Sequence, residues 1–137
     1  MAKSDTIHCG VITPERVYLD CDARFVAFPI HDGELGALRN RAPLVCKLGI
    51  GPVRVDAEGE THHLFIDGGF AQIVENRLTI LTEQARAVKD IDASACRQKL
   101  VEARAMPTTS DAEFTARQKA VRRAQVQIHL AESHRSS

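Results

Sequence analysis

The chain reads as β plus α: an N-terminal β-sandwich or flattened barrel over residues 1–90, then a C-terminal antiparallel helical hairpin over residues 91–137. Three observations predict this. Short apolar runs with a two-residue period fill the first part, each bounded by turn residues. At Asp90 the apolar period lengthens to that of a helix. Pro107 then cuts the helical text in two.

In order along the chain, Ile7, Cys9 and Val11 alternate with polar neighbours, as do Val17 and Leu19. Arg24–Phe28, Leu44–Leu48, Pro52–Val55, Thr61–Ile66, Phe70–Val74 and Leu78–Thr82 follow as runs rich in β-branched or aromatic residues. The turns between them are expected at Thr13-Pro14, Asp32-Gly33, Gly49-Ile50-Gly51, Glu58-Gly59, Gly68-Gly69 and Glu75-Asn76. Val53 and Val55 inward with Arg54 outward, and Leu78 and Ile80 opposed to Thr79, fit a sheet with one wet face. Asp92 is placed to cap a first helix whose stripe is Ala93, Cys96, Leu100 and Ala103. Ser110 with Glu113 three residues on makes a capping box for a second helix, with Phe114, Val121, Ala124, Ile128 and Ala131 as its stripe to about His134. The seam is mostly alanine, so the hairpin alone is marginal and is expected to order by docking on something, as a mobile arm.

A composition 44% apolar and 26% charged is that of a soluble globular protein. No stretch approaches a membrane span and the start lacks a signal-peptide core, so the chain is expected to be intracellular and at most peripheral to a membrane. Cys9, Cys21, Cys46 and Cys96 show no Cys-x-x-Cys spacing, and His62 and His63 point to opposite faces of a strand; no metal site is expected. No nucleophile motif or phosphate loop occurs, and the flanking carboxylate pairs Asp20/Asp22 and Glu58/Glu60 read as solvated charges, so no catalytic set and no cofactor are expected. A zero net charge hides an asymmetry. Residues 1–90 hold 10 Lys/Arg against 13 Asp/Glu, and residues 91–137 hold 8 against 5. Such a basic tail on an acidic body points to a partner for the tail. With one Tyr, five Phe and no overall basic excess, that partner is not expected to be nucleic acid.

Two stretches carry interaction chemistry. On the second helix Lys119, Arg122 and Arg123 lie opposite the apolar stripe, and no acidic residue occurs from Arg117 to Leu130. This is either a solvated basic face or one that meets acidic protein. Arg117 falls within the apolar stripe, so it must snorkel out or find a carboxylate. Earlier in the chain, residues 31–48 are dense in backbone instructions. Asp32-Gly33 is a turn dipeptide, Gly36 marks a bulge or close backbone approach, and Pro43 keeps out of a central strand. A loop so held, presenting Glu34, Arg39 and Arg41, is either a solvated turn or a contact surface.

The run Asp32-Gly33-Glu34-Leu35-Gly36 followed by Arg41-Ala42-Pro43-Leu44 resembles the GELG…HAPL signature of the epsilon subunit of F-type ATP synthases. Val11-Ile12-Thr13-Pro14-Glu15, Asp67-Gly68-Gly69-Phe70, Leu78-Thr79-Ile80-Leu81 and Asp90-Ile91-Asp92 resemble it too, in order and over nearly the whole chain. The resemblance implies a non-catalytic rotor subunit, peripheral to the cytoplasmic face of the inner (plasma) membrane. It implies a sandwich that binds the gamma subunit and touches the c-ring through the loop containing His31, Asp32, Gly33, Glu34, Arg39, Asn40 and Arg41. It also implies a hairpin that extends against the alpha/beta hexamer and restrains ATP hydrolysis, through Arg117, Lys119, Arg122 and Arg123.

Two departures stand out. Relatives often carry Pro-Gly-His where this chain has Arg39-Asn40-Arg41. The Ile/Leu-Asp-x-x-Arg-Ala motif with which some relatives bind ATP reads here as Ile91-Asp92 followed by Ala95-Cys96, without the arginine, so no nucleotide binding is expected. The rival from another class is a free-standing small-molecule-binding β-sandwich protein, which needs a pocket with convergent polar groups.

Overall fold

The computed structural model describes residues 5–136, with side chains through His134. The chain divides between Ala87 and Val88 into two compact units.

The first unit is built from seven strands: β1 (Ile7–Ile12), β2 (Val17–Ile30), β3 (Gly33–Ala37), β4 (Leu44–Ala57), β5 (Glu60–Val74), β6 (Arg77–Leu81) and β7 (Ala85–Ala87). The ladder runs β1-β6-β5-β4-β2, and β1 also pairs with β2, so the sheet closes on itself as a flattened barrel. All pairings are antiparallel except that of β1 with β6. Three long strands do most of the closing. One edge of β2 pairs β1 through Ala23 and then β3 from Val26. Along β5, Leu64–Ile66 pair β7 and Phe70–Val74 pair β6. The inner faces supply Ile7, Cys9, Val11, Val26, Phe28, Val53, Val55, Ile66, Ile73, Leu78 and Ile80, all buried in one core. Inward Val53 and Val55 flank exposed Arg54, as a half-wet sheet demands.

Two of the expected turns are not turns. Gly49-Ile50-Gly51 and Gly68-Gly69 lie inside β4 and β5, whose register runs from Leu44↔Ile73 to Ala57↔Glu60 without a slip. Gly49, Gly51 and Gly69 mark close approaches along these long strands. Gly69 stands at φ 108, and a Cβ there would sit 1.9 Å from the Leu81 carbonyl oxygen. By contrast Glu75 and Asn76, at φ 48 and 63, form the two-residue link between β5 and β6. Positive φ at both central residues is what a type I′ hairpin requires.

In the second unit a 3-10 turn, Val88–Asp90, leads into α1 (Ala93–Arg104) and α2 (Asp111–Ser136). The Asp92 carboxylate caps α1 by accepting from the Ser94 and Ala95 amides at 3.0 and 3.3 Å. At α2 the Ser110 hydroxyl accepts from the Glu113 amide at 3.1 Å, while the Glu113 carboxylate reaches back to the Thr109 amide, also at 3.1 Å, and to its hydroxyl. Cross-helix bonds run from Arg97 to Glu132 and from Arg117 to the Arg104 carbonyl, so the helices are antiparallel.

The α1 face of Ala93, Cys96 and Ala103 is buried and Leu100 half-buried. On α2 the buried residues are Ala124, Gln127 and Ala131, and Phe114 is 47% exposed. The contact face keeps Ala124 and Ala131 of the expected stripe, with Val121 and Ile128 half-buried, and gains Gln127 while Phe114 drops out. Alanines permit close approach of the helices, and the Gln127 amide oxygen is satisfied by the Cys96 thiol at 3.5 Å.

Candidate functional site

Register brings together a group of residues that the sequence scatters. On the outward face, Lys47 of β4 stands beside Phe70 of β5, Phe70 beside Leu81 of β6, Leu81 beside Ile12 of β1, and Ile12 beside Val17 of β2. The result is one row across five strands. Phe70 is 56%, Leu81 49% and Val17 57% exposed, and Val45, one row away beside Gln72, is 69% exposed. Single exposed apolar residues are ordinary, but a contiguous row on the wet face of a sheet marks an interaction surface. The signal was present in the sequence as parity: Phe70 alternates with inward Ala71 and Ile73, and Leu81 with inward Leu78 and Ile80. Only the register shows that the misplaced residues meet.

The far end of the same face is charged. His8 lies opposite Arg77 on one side and Asp22 on the other, with Asp20 opposite Gly10. The hydrogen bond that His8 donates to Asp22 raises the pKa of His8, burial lowers it, and Asp20 raises it further. On the inward side of this pairing Cys9 and Cys21 face each other. Burial pushes the Cys9 thiol up to about 12 and raises Cys21 too, so both stay protonated packing groups.

The stretch 31–41, expected as one loop, is a hairpin and a turn separated by a strand. His31 and Asp32 make the turn, and Gly33 and Glu34 open β3 by pairing with Ile30 and Pro29. Gly33 does not take a positive φ. The strand forms because Leu35 and Ala37 have inward positions to fill, with Ala37 fully buried. Gly36 fits the expected close approach: a Cβ there would meet the Phe25 ring at 2.6 Å. Arg39, Asn40 and Arg41 lie beyond the other end of β3, roughly 13 Å of strand away at ~3.3 Å per residue.

There the Arg41 amide donates to the Leu38 carbonyl at 3.2 Å, closing a β-turn with Asn40 third at φ 67. Type II turns take Pro second and Gly or Asn third. Arg39-Asn40 thus keeps the turn that Pro-Gly would make, with Asn supplying the left-handed residue. Asn40 is also clasped to the β5–β6 turn: its amide N–H donates to Asn76 Oδ1 at 2.6 Å, and Asn76 Nδ2 returns a bond to Asn40 Oδ1 at 3.5 Å. Arg39 reaches the Thr6 carbonyl at 3.4 Å.

The four cations of α2 do not form one face. Arg117 turns into the hairpin, where its Nε and Nη2 both donate to the Arg104 carbonyl at 3.3 Å. It is a C-terminal cap for α1 and needs no carboxylate. Arg123 is half-buried, and Lys119 and Arg122 are exposed.

Among the described residues no cluster of three His, Cys, Asp or Glu side chains is arranged to hold a metal. No helix there is long and apolar enough to cross a membrane. A depression lined by Gln72, Val74, Glu75, Arg77 and Thr79 opens on the outward sheet face. It is open to solvent, unlike the enclosed cleft that a small-molecule site needs.

Comparison with known proteins agrees with this geometry. Residues 6–88 match the family described as ATP synthase, Delta/Epsilon chain, beta-sandwich domain. The chain is 41% identical over 126 residues to the ATP synthase epsilon chain of Rhodopirellula baltica, covering 92% of this chain and 98% of that one. It is 36% identical over 124 residues to that of Symbiobacterium thermophilum, covering 88% and 89%. Two solved structures share the fold at low identity. A chain of the Euglena gracilis mitochondrial ATP synthase matches at TM-score 0.71 and 21% identity, over 99% of this chain and 83% of that chain. A chain of the Tetrahymena thermophila mitochondrial ATP synthase central stalk/c-ring matches at TM-score 0.75 and 14% identity, over 95% and 99%. The shared sandwich and the match along nearly the whole length show that the chain belongs to the family of ATP synthase epsilon chains.

Proposed function

We propose that the chain is a non-catalytic central-stalk subunit of an F-type ATP synthase that couples the gamma subunit to the c-ring. The observation that carries this is the outward row of Phe70, Leu81, Ile12 and Val17 with Val45 beside it. A stiff closed sheet with an uncovered apolar row suits permanent contact with another protein, and the gamma subunit is the partner assigned to it. The c-ring contact is assigned to the tip of the β2–β3 hairpin, His31, Asp32, Gly33 and Glu34. The Arg39-Asn40-Arg41 turn forms a second, separate contact. The second unit is read as a regulatory arm that restrains ATP hydrolysis by laying Lys119 and Arg122, with Arg123, on acidic surface of the alpha/beta hexamer; Arg117 serves the hairpin itself. No nucleotide site is assigned at α1, where Ala95 replaces the arginine of the binding motif and Asp92 caps the helix. The place of action is the cytoplasmic face of the coupling membrane, peripherally.

Phe70→Glu with Leu81→Lys, a pair of opposite charge across the β5–β6 ladder, tests the reading. Both are exposed, so the chain should keep its thermal midpoint, yet it should no longer co-purify with the gamma subunit. Co-purification at the level of the unaltered chain would overturn the assignment of this face.

A further inference from the structure

The outer surface of the β1–β2 pairing carries a group that the apolar row does not use. His8 points out of β1 and both its ring nitrogens face carboxylates of β2. Nδ1 lies 2.9 Å from an Asp22 oxygen, and Nε2 contacts an Asp20 oxygen. The register explains the pair: His8 is directly opposite Asp22, and Asp20, opposite Gly10, is its diagonal neighbour.

The geometry has a stoichiometric meaning. A neutral imidazole has one N–H and one bare nitrogen, whereas an ionised carboxylate only accepts. Two carboxylates can be held at once only by the imidazolium, which donates from both nitrogens. Around the ring, Arg77 is the charged residue opposite on β6 and opposes protonation. On β1 itself Ile7 and Cys9 point into the core, and Gly10 offers no side chain.

We propose that His8, Asp20 and Asp22 form a proton-operated clip that fastens β1 to β2, the pairing that closes the barrel. With its second proton His8 holds both carboxylates. Without it, the ring keeps one and releases the other, which leaves an uncompensated charge on the sheet. The sign follows from linkage. Because the folded pKa of His8 lies above the ordinary 6.5, with the Asp22 bond the main cause, the clip's contribution is complete below 6.5 and is lost as pH rises through the folded value. The clip goes beyond the rotor reading and does not depend on it, since its test uses the chain alone.

The His8 ring resonances of the full-length chain are titrated by NMR from roughly pH 5 to 9, with thermal midpoints measured in parallel. The unaltered chain should show His8 titrating above 6.5. Asp22→Asn and Asp20→Asn should each lower that titration, and the thermal midpoint should fall as pH rises through it. His8→Gln should lack that fall. A His8 titration at or below 6.5, or one that neither Asn variant moves, overturns the clip. Should His8→Gln fail to fold, the two Asn variants retain the ring and decide the matter.

Discussion

Asn40 shows how much one residue does in this chain. It supplies the left-handed φ of its turn and, through Asn76, ties that turn to the β5–β6 hairpin. Asn tolerates φ near +60° because its side chain can hydrogen-bond locally, whereas a β-branched residue there is strained. Asn40→Val should therefore destabilise the sandwich by on the order of 1–3 kcal/mol, while Asn40→Gly keeps the turn and loses only the returned amide bond. Urea midpoints of the two variants check this; equal midpoints would contradict it. Backbone instructions of this kind were legible, because a turn or a cap depends on a few neighbours. Glu75-Asn76, Asp92 and Ser110 all stand where the sequence put them. What lay hidden was anything set by a residue distant in the chain. The tight fit at Gly69 comes from Leu81, and the carbonyl that Arg117 caps belongs to Arg104.

Among the elements, strands were easier to find than to bound. Each expected run lies in a strand, but Val17–Leu19 and Arg24–Phe28 merge into β2, and β4 and β5 run on through their glycines. A glycine reads the same in sequence whether it turns the chain or lets two backbones close in. The short β3 escaped notice because its turn residues and charges outweigh its two inward positions. The second helix was found and most of its stripe with it, but Phe114 lies outside the contact face. Phe114 has the largest apolar side chain on α2, yet the alanines, which let the helices come closer, make the contact.

Its N-terminus offers a pH test. The hydrogen bond from the Thr109 hydroxyl holds the Glu113 carboxyl below its usual 4.5, so the cap's contribution is present above 4.5 and is lost as pH falls through the lower folded value. Far-UV circular dichroism should show helix loss in the unaltered chain over that acid range. In Glu113→Gln the cap is weakened at every pH, and this acid step should be absent. An unchanged acid profile would remove Glu113 from the cap.

At the scale of the whole molecule the two units are built differently. The first is a closed sheet around one continuous core, and the second is two helices on an alanine seam that leaves Val101 and Phe114 to solvent. If the second unit restrains the motor, Lys119→Glu with Arg122→Glu in the assembled enzyme should raise ATP hydrolysis several-fold, about 1 kcal/mol of lost contact, without dissociating the subunit. Unchanged hydrolysis would remove the inhibitory role and leave the coupling role standing. Closure of the barrel has one more consequence. A copy just released from the ribosome must wait, unassembled, among many like itself, and a long open strand edge would invite them to stack. Among the described residues β1, β6, β5, β4 and β2 form a ring, and the strands hung on it, β3 and β7, are only five and three residues long. Short edges template poorly, so the orphan subunit should not stack strand to strand, even at high concentration, before its complex claims it.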